Sequence, residues 1–187
     1  VNTDNYMGAL QATSLLIRDK CDILIHINVN VNKSAPAYDR IWAFQATCEE
    51  YHVPYDIDLS VKGASYHELL DVIREIFNKI ESKYPNQKKG IFLANDTYAN
   101  MFLNLIFQKY GTFPSTYEIV GFDNSPIASE AILPITTIGQ QIDVIAKTAM
   151  DLLVQQMEEQ KKRVPKPLGE PVHKQIAPVL IRRNTTK

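Results

Sequence analysis

Short apolar segments alternate with amphipathic helical segments almost from end to end. That alternation confines the chain to a mostly parallel sheet with helices on both faces. Segments 22–28 (DILIHIN), 90–94 (GIFLA) and 117–122 (YEIVGF) are brief, nearly continuous apolar runs. Strands buried on both faces read this way, and the runs are too short for buried helices. Between them the period changes. Ile41, Phe44, Cys48 and Tyr51 step by three and four, and Leu69, Ile73, Ile76, Phe77 and Ile80 fall on one helical face. Parallel neighbours need crossover connections, and helices supply them here.

Boundary residues agree with this reading. Asp4 is placed to cap a helix over 5–19, and Pro36 opens another that runs to about Tyr51. Ser65-Tyr66-His67-Glu68 is a capping box, and Gly111 suits the end of a helix over 96–110. Short strands are expected at 55–59 and 135–138. The stretch 123–134 reads as a loop with room for one helical turn. The clearest helix spans 141–161, with Ile142, Ile145, Ala146, Ala149, Leu152 and Leu153 on one stripe. Three prolines and a glycine make 165–171 an extended connector, and 172–182 closes as one strand or two.

Composition narrows the function. With 187 residues, 45% of them hydrophobic, the chain can build one sizeable core. Twenty basic against 21 acidic residues give a net charge of -1, without the basic excess that a nucleic-acid module needs to displace counterions. The run Lys161-Lys162-Arg163 is a solvated helix end. Cys21 and Cys48 lack metal-ligand spacing. Cys48 lies on the apolar side of its helix, as a small buried hydrophobe would, and two free thiols fit a reducing compartment. No apolar run is long enough to cross a bilayer, and the N-terminus has no signal-peptide pattern. The four histidines are not spaced to hold a metal, and His26 inside an apolar strand reads as a satisfied core residue. Asp56 and Asp58, two apart on a strand, are expected on one exposed face. A nucleophile elbow, a P-loop and a dinucleotide fingerprint are all missing. Neither metal, cofactor nor enzymatic activity is expected.

In a parallel α/β sheet, ligands bind beyond the carboxyl ends of the strands. Those ends carry Asn28, then Asn95-Asp96, then Asp123-Asn124. Short amides and carboxylates suit a hydroxyl-rich ligand. Each of them would also serve as a turn or cap residue, as Asn95 or Asp96 would at the start of its helix.

Ordered motifs carry a family resemblance. They are Val1-x-x-Asp4-Asn5-x-x-Gly8-Ala9, Arg40 with Phe44, Leu93-Ala94-Asn95-Asp96 and Ile119-Val120-Gly121-Phe122-Asp123-Asn124. Pro134-Ile135-Thr136-Thr137-Ile138-x-Gln140 and the tail Leu180-Ile181-Arg182-Arg183-Asn184-Thr185-Thr186 complete the set. The chain resembles the C-terminal part of LacI/GalR-family sugar-responsive repressors across essentially its whole length. The resemblance implies a two-lobed, periplasmic-binding-protein-like fold with a small effector in the cleft. Residues 1–137 and 178–187 would form the C-terminal lobe. Residues 138–177 would belong to a mostly missing N-terminal lobe. The chain starts without Met and is expected to be a fragment, lacking the DNA-binding headpiece.

The resemblance further implies that Arg40, Asn95 and Asp123 contact the sugar, with Gln140 near the crossover and Ser34 in the loop before Arg40. Where the family commonly stacks an aromatic on the sugar, this chain has Leu59-Ser60; Tyr55 or Tyr66 would serve only with a shifted alignment. A cytoplasmic homodimer is implied, touching DNA only through the absent headpiece and no membrane. The helix after Gln140 would normally pack on the absent lobe, so its stripe is expected to dock on another subunit, swap, or lack order. A periplasmic sugar receptor for a transporter and an α/β sugar-processing enzyme are the alternative readings.

Overall fold

Asp4 accepts a hydrogen bond from the Met7 amide at 2.9 Å and so starts the first helix. The computed structural model describes residues 1–187 except 163, 165, 166 and 168. The connector 165–171 and the end of the basic run at Arg163 therefore lie partly outside the described residues. The elements are β1 (Asn2–Thr3), α1 (Asn5–Arg18), β2 (Ile23–Val29), α2 (Tyr38–Glu50), β3 (Tyr55–Val61), α3 (Tyr66–Lys83) and β4 (Lys89–Leu93). After them come α4 (Asp96–Tyr110), β5 (Tyr117–Asp123), α5 (Pro126–Glu130), β6 (Thr136–Gly139), α6 (Ile142–Gln160), β7 (Gln175–Ile176) and β8 (Val179–Ile181).

Six strands form one sheet in the order β3-β2-β4-β5-β6-β8. Every pairing is parallel except β6 with β8. Side chains alternate across it with period two. Ile23, Ile25, Ile27, Ile91, Leu93 and Ile119 face α3 and α4, packing with Ile73, Phe77 and Phe102. Leu24, Phe92, Val120 and Phe122 face α1 and α2, packing with Leu16, Ala43, Phe44 and Cys48. Two cores on opposite faces explain the continuous apolar runs. Each large side chain removed from water contributes about 1.5–3 kcal/mol.

Local signals place the ends. Ser65 and Glu68 form the full reciprocal capping box, and Gly111 closes α4 in the left-handed region at φ 70. The helix expected from Pro36 starts two residues later, at Tyr38, because 33–37 are taken up by turns. Asp56 and Asp58 share a face but are not simply exposed. Lys83 and Lys79 of α3 reach back to them at 2.8 and 3.1 Å, and their side chains are only 31% and 11% exposed. The C-terminal tail is laced into the sheet: Thr185, fully buried, accepts from the Thr136 amide and donates to Ile119 O.

One part stands outside this body. β1 pairs only with β7, as a separate parallel ladder. α6 has no buried residue among those described. Ile142, Met150, Leu153 and Met157 on it are about half exposed.

His26 sits at the centre of the α1–α2 face. It stacks on Phe92 at 4.6 Å and lies beside Phe44 at 5.3 Å. Its Nδ1 lies 2.9 Å from Phe92 O and its Nε2 lies 3.2 Å from the Asn28 amide nitrogen. Nδ1 therefore carries the proton and Nε2 accepts. Burial, and to a lesser degree the charge of Arg40, hold the imidazole neutral by lowering its pKa to about 4, against the backbone bond to Phe92. The unfolded chain protonates at about pH 6.5, so between there and about pH 4 it binds the extra proton. Stability from this group is complete above that window and falls with pH inside it, by about 3 kcal/mol in all. Urea midpoints from pH 7 to 4.5 check this: His26→Gln flattens the pH slope, and an unchanged slope would refute the assignment.

Candidate functional site

The carboxyl ends of β4, β5 and β6 form a rim, and Arg40 reaches it from the first turn of α2. Its guanidinium lies flat on the Phe122 ring, 3.5 Å from the centroid. Nε donates to Asn5 Oδ1 at 2.7 Å and Nη1 to Ala94 O at 2.6 Å. Three supports fix the plane of the fork, leaving Nη2 without a hydrogen-bond partner among the described residues. Burial lowers the Arg40 pKa to about 10, and nearby Asp123 partly offsets this, so the group stays charged at neutral pH.

Asp123 ends β5 at φ 106, and Asn124 follows at φ 53. Two consecutive non-glycine residues in the left-handed region store strain of about 1–3 kcal/mol each, a feature that concentrates at functional sites. The surroundings hold the bend. Arg183 Nη2 donates to Asn124 Oδ1 at 2.7 Å, and Gln140 Nε2 donates to Asp123 Oδ1 at 2.6 Å. Gln140 Oε1 in turn accepts from Thr3 Oγ1 at 2.5 Å. Arg40 and Asp123 attract each other, yet no direct ion pair joins them among the described residues. An unpartnered donor and a strained acceptor thus belong to one rim.

The remaining strand-end residues have structural roles. Asn95 accepts from the Tyr98 amide at 2.9 Å as the N-cap of α4, so its amide NH2 is the part left without a role in the helix cap. Asp96 is buried, accepting from Thr137 Oγ1 at 2.6 Å, Ser125 N at 2.7 Å and Ser125 Oγ at 3.1 Å. Burial raises its pKa against those bonds. Asn28 is spent on His26 and on the Val29 amide. Ser34 lies in the exposed turn ahead of α2 and joins none of these hydrogen bonds. Tyr55 starts β3, at the far end of the sheet, with its hydroxyl on Glu49. Tyr66 stands exposed at the start of α3, on the rim side. Asn5 and Thr3 were not named as site residues from the sequence, although Asn5 lies in the first family motif; their signal was their position beside Asp4, where the chain enters α1. Among the described residues no group of His, Cys, Asp and Glu could hold a metal ion.

A family model for the periplasmic binding protein-like domain matches residues 15–186, and the chain belongs to that family. Its relatives are LacI-family repressors. The ribose operon repressor of Halalkalibacterium halodurans is 28% identical over 187 residues, covering all of this chain and 52% of the relative. A LacI family transcriptional regulator from Enterococcus faecium, solved with bound ribose, superposes with TM-score 0.76 at 19% identity, over 98% of this chain and 63% of that one. A LacI family regulator from Arthrobacter sp. FB24 in complex with lactose gives TM-score 0.79 at 16% identity, over 100% and 64%. The fold is thus that of LacI-family effector domains. The chain spans about half the length of the curated relatives it matches.

Proposed function

We propose that this chain is the effector-sensing region of a bacterial transcription repressor. It binds a small sugar or related metabolite at the rim, and full-length protein couples that event to operator DNA. The observation that carries the reading is the guanidinium of Arg40, held by Asn5, Ala94 O and Phe122 with Nη2 unpartnered among the described residues, and attracted to the strained Asp123. A vicinal diol would accept from Nη2 and donate to the carboxylate, with the Asn95 NH2 as a further donor. Gln140 stands beside this pair, and Ser34 is the outermost candidate contact. The role in this reading is sensing rather than catalysis, in the cytoplasm where an operator is found.

The division into lobes belongs to the same reading. Residues 1–137 and 178–187 are assigned to the C-terminal lobe, with two departures at its edges: β1 pairs with β7 outside the six-stranded body, and β6 extends that body to Gly139. The segment that follows, with the bare face of α6, belongs to an N-terminal lobe that closes the cleft. Homodimerisation and DNA contact through a separate headpiece complete the proposal. Ligand then acts by favouring one closure angle.

Isothermal titration with a panel of pentoses, hexoses and disaccharides tests the reading. This chain alone is expected to bind no tighter than about millimolar, since half a site lacks the closing contacts. Micromolar affinity from the chain alone would contradict the two-lobe division. A full-length repressor carrying the chain should change operator affinity with one of these sugars, and no response to any would contradict the sensor.

A further inference from the structure

Three passages of chain join the six-stranded body to the outlying segment. They are β1, the exit at Gln140-Gln141, and the return at Ala177-Pro178. β1 is held on β7 by Asn2 N to Lys174 O at 3.0 Å and Asp4 N to Ile176 O at 2.9 Å. Two adjacent glutamine side chains tie the passages together. Gln141 Nε2 donates to Ala177 O at 2.7 Å, away from the rim. Gln140 instead bridges Thr3 and Asp123, so its amide joins the first passage to the end of β5.

We propose that Gln140 is a latch that transmits occupation of the Asp123 carboxylate to the pairing of β1 with β7. The proposal rests on the reading of Asp123 as the effector's acceptor.

The chemistry of the amide makes the coupling directional. A carboxylate only accepts, so Asp123 fixes which end of the amide faces it. With Nε2 turned to Asp123, Oε1 is presented to the buried Thr3 hydroxyl. A ligand hydroxyl donating to Asp123 draws the carboxylate toward the ligand and weakens its bond from Gln140 Nε2. Once Nε2 is displaced, nothing orients Oε1, and Thr3 loses its acceptor. Asn124 stays pinned by Arg183, so the strained bend persists while the latch opens. The Gln141 bond touches no rim residue and remains as a fixed tie beside the responsive one.

Hydrogen exchange at the Asp4 amide, bonded across the ladder to Ile176, reads the latch without any ligand. Thr3→Val keeps the shape of the side chain and removes its donor. Asp123→Ala removes the acceptor that orients Gln140. Each is expected to speed exchange at Asp4 about tenfold, the loss of one hydrogen bond to a charged or buried partner. Together they should speed it by the same factor, because both break one chain of bonds, whereas Gln141→Ala should multiply with either. Should Asp123→Ala not fold, Gln140→Ala leaves the strained backbone intact and reads the same coupling with Thr3→Val. Single effects below about twofold, or factors for Thr3 and Asp123 that multiply, would overturn the latch.

Millimolar ribose and glucose separate this from the sensor reading. A sugar that shifts the Arg40 and Asp123 resonances should also speed exchange at Asp4. Shifted resonances with unchanged exchange would overturn the latch alone. A shared tenfold factor, with no operator response of the full-length repressor to any sugar, would overturn the sensor reading and leave the latch supported.

Discussion

Gly121→Ala is expected to destabilise the fold by about 3–5 kcal/mol, the largest stability loss that one added methyl should cause in this sheet. A Cβ at position 121 would land on Asp96 Oδ1, while Ala99 stays at ordinary contact distance. Asp96 cannot step aside cheaply. It is 1% exposed and ties the start of α4 to Ser125 and to Thr137 of β6. Moving it breaks those bonds and strands a buried carboxylate, a loss of the same order as removing one partner of a buried ion pair. Urea unfolding of the variant measures this. A double-mutant cycle with Asp96→Ala should show strong non-additivity, because the clash vanishes with the carboxylate. A loss under about 1 kcal/mol would show that α4 can shift without rupture.

Arg40→Lys is expected to weaken effector binding by a full-length repressor about as much as Arg40→Ala, by roughly a hundredfold. Lysine keeps the charge but loses the geometry. One ammonium cannot lie flat on Phe122, donate to Asn5 and Ala94 O, and still present a free donor to a ligand. Much of the loss comes from leaving a ligand oxygen and Asp123 poorly matched. Stability should also fall, by about 1–3 kcal/mol, because the bonds to Asn5 and Ala94 O and the stacking on Phe122 are lost, so binding is compared on folded protein. Titration against the sugar that binds the wild type checks this. A lysine variant within about threefold of wild type would show that charge alone suffices at the rim.

The sequence told more about the frame than about the rim. Continuous apolar runs disclosed the parallel sheet because both faces of 22–28, 90–94 and 117–122 are covered. The capping box at Ser65 and the glycine after Tyr110 fixed helix ends because their signals are local. The rim was legible only as residue types at strand ends. Asn28, Asn95, Asp96 and Asp123 look equivalent in sequence, yet Asn28 braces His26, Asp96 braces β6, and Asn95 caps a helix. Only long-range geometry separates those roles from that of Asp123. Asn5 stood in a motif, but its bond to Arg40 was invisible for the same reason, since it spans 35 positions. The half-buried state of Asp56 and Asp58 was missed because Lys79 and Lys83 lie a helix away. The tail from Arg183 on stood out as a motif, but its threading into β5 and β6 could not be read from spacing.

The most direct test is an NMR titration of this chain with ribose and other sugars at millimolar concentration, following the Arg40 Nε–H and the amides of Asn95, Asp123 and Gln140. The account predicts saturable shifts centred on Arg40 and Asp123, lost in Arg40→Ala while the rest of the spectrum is retained. Saturable shifts confined to another surface, or rim shifts that survive Arg40→Ala unchanged, would contradict it.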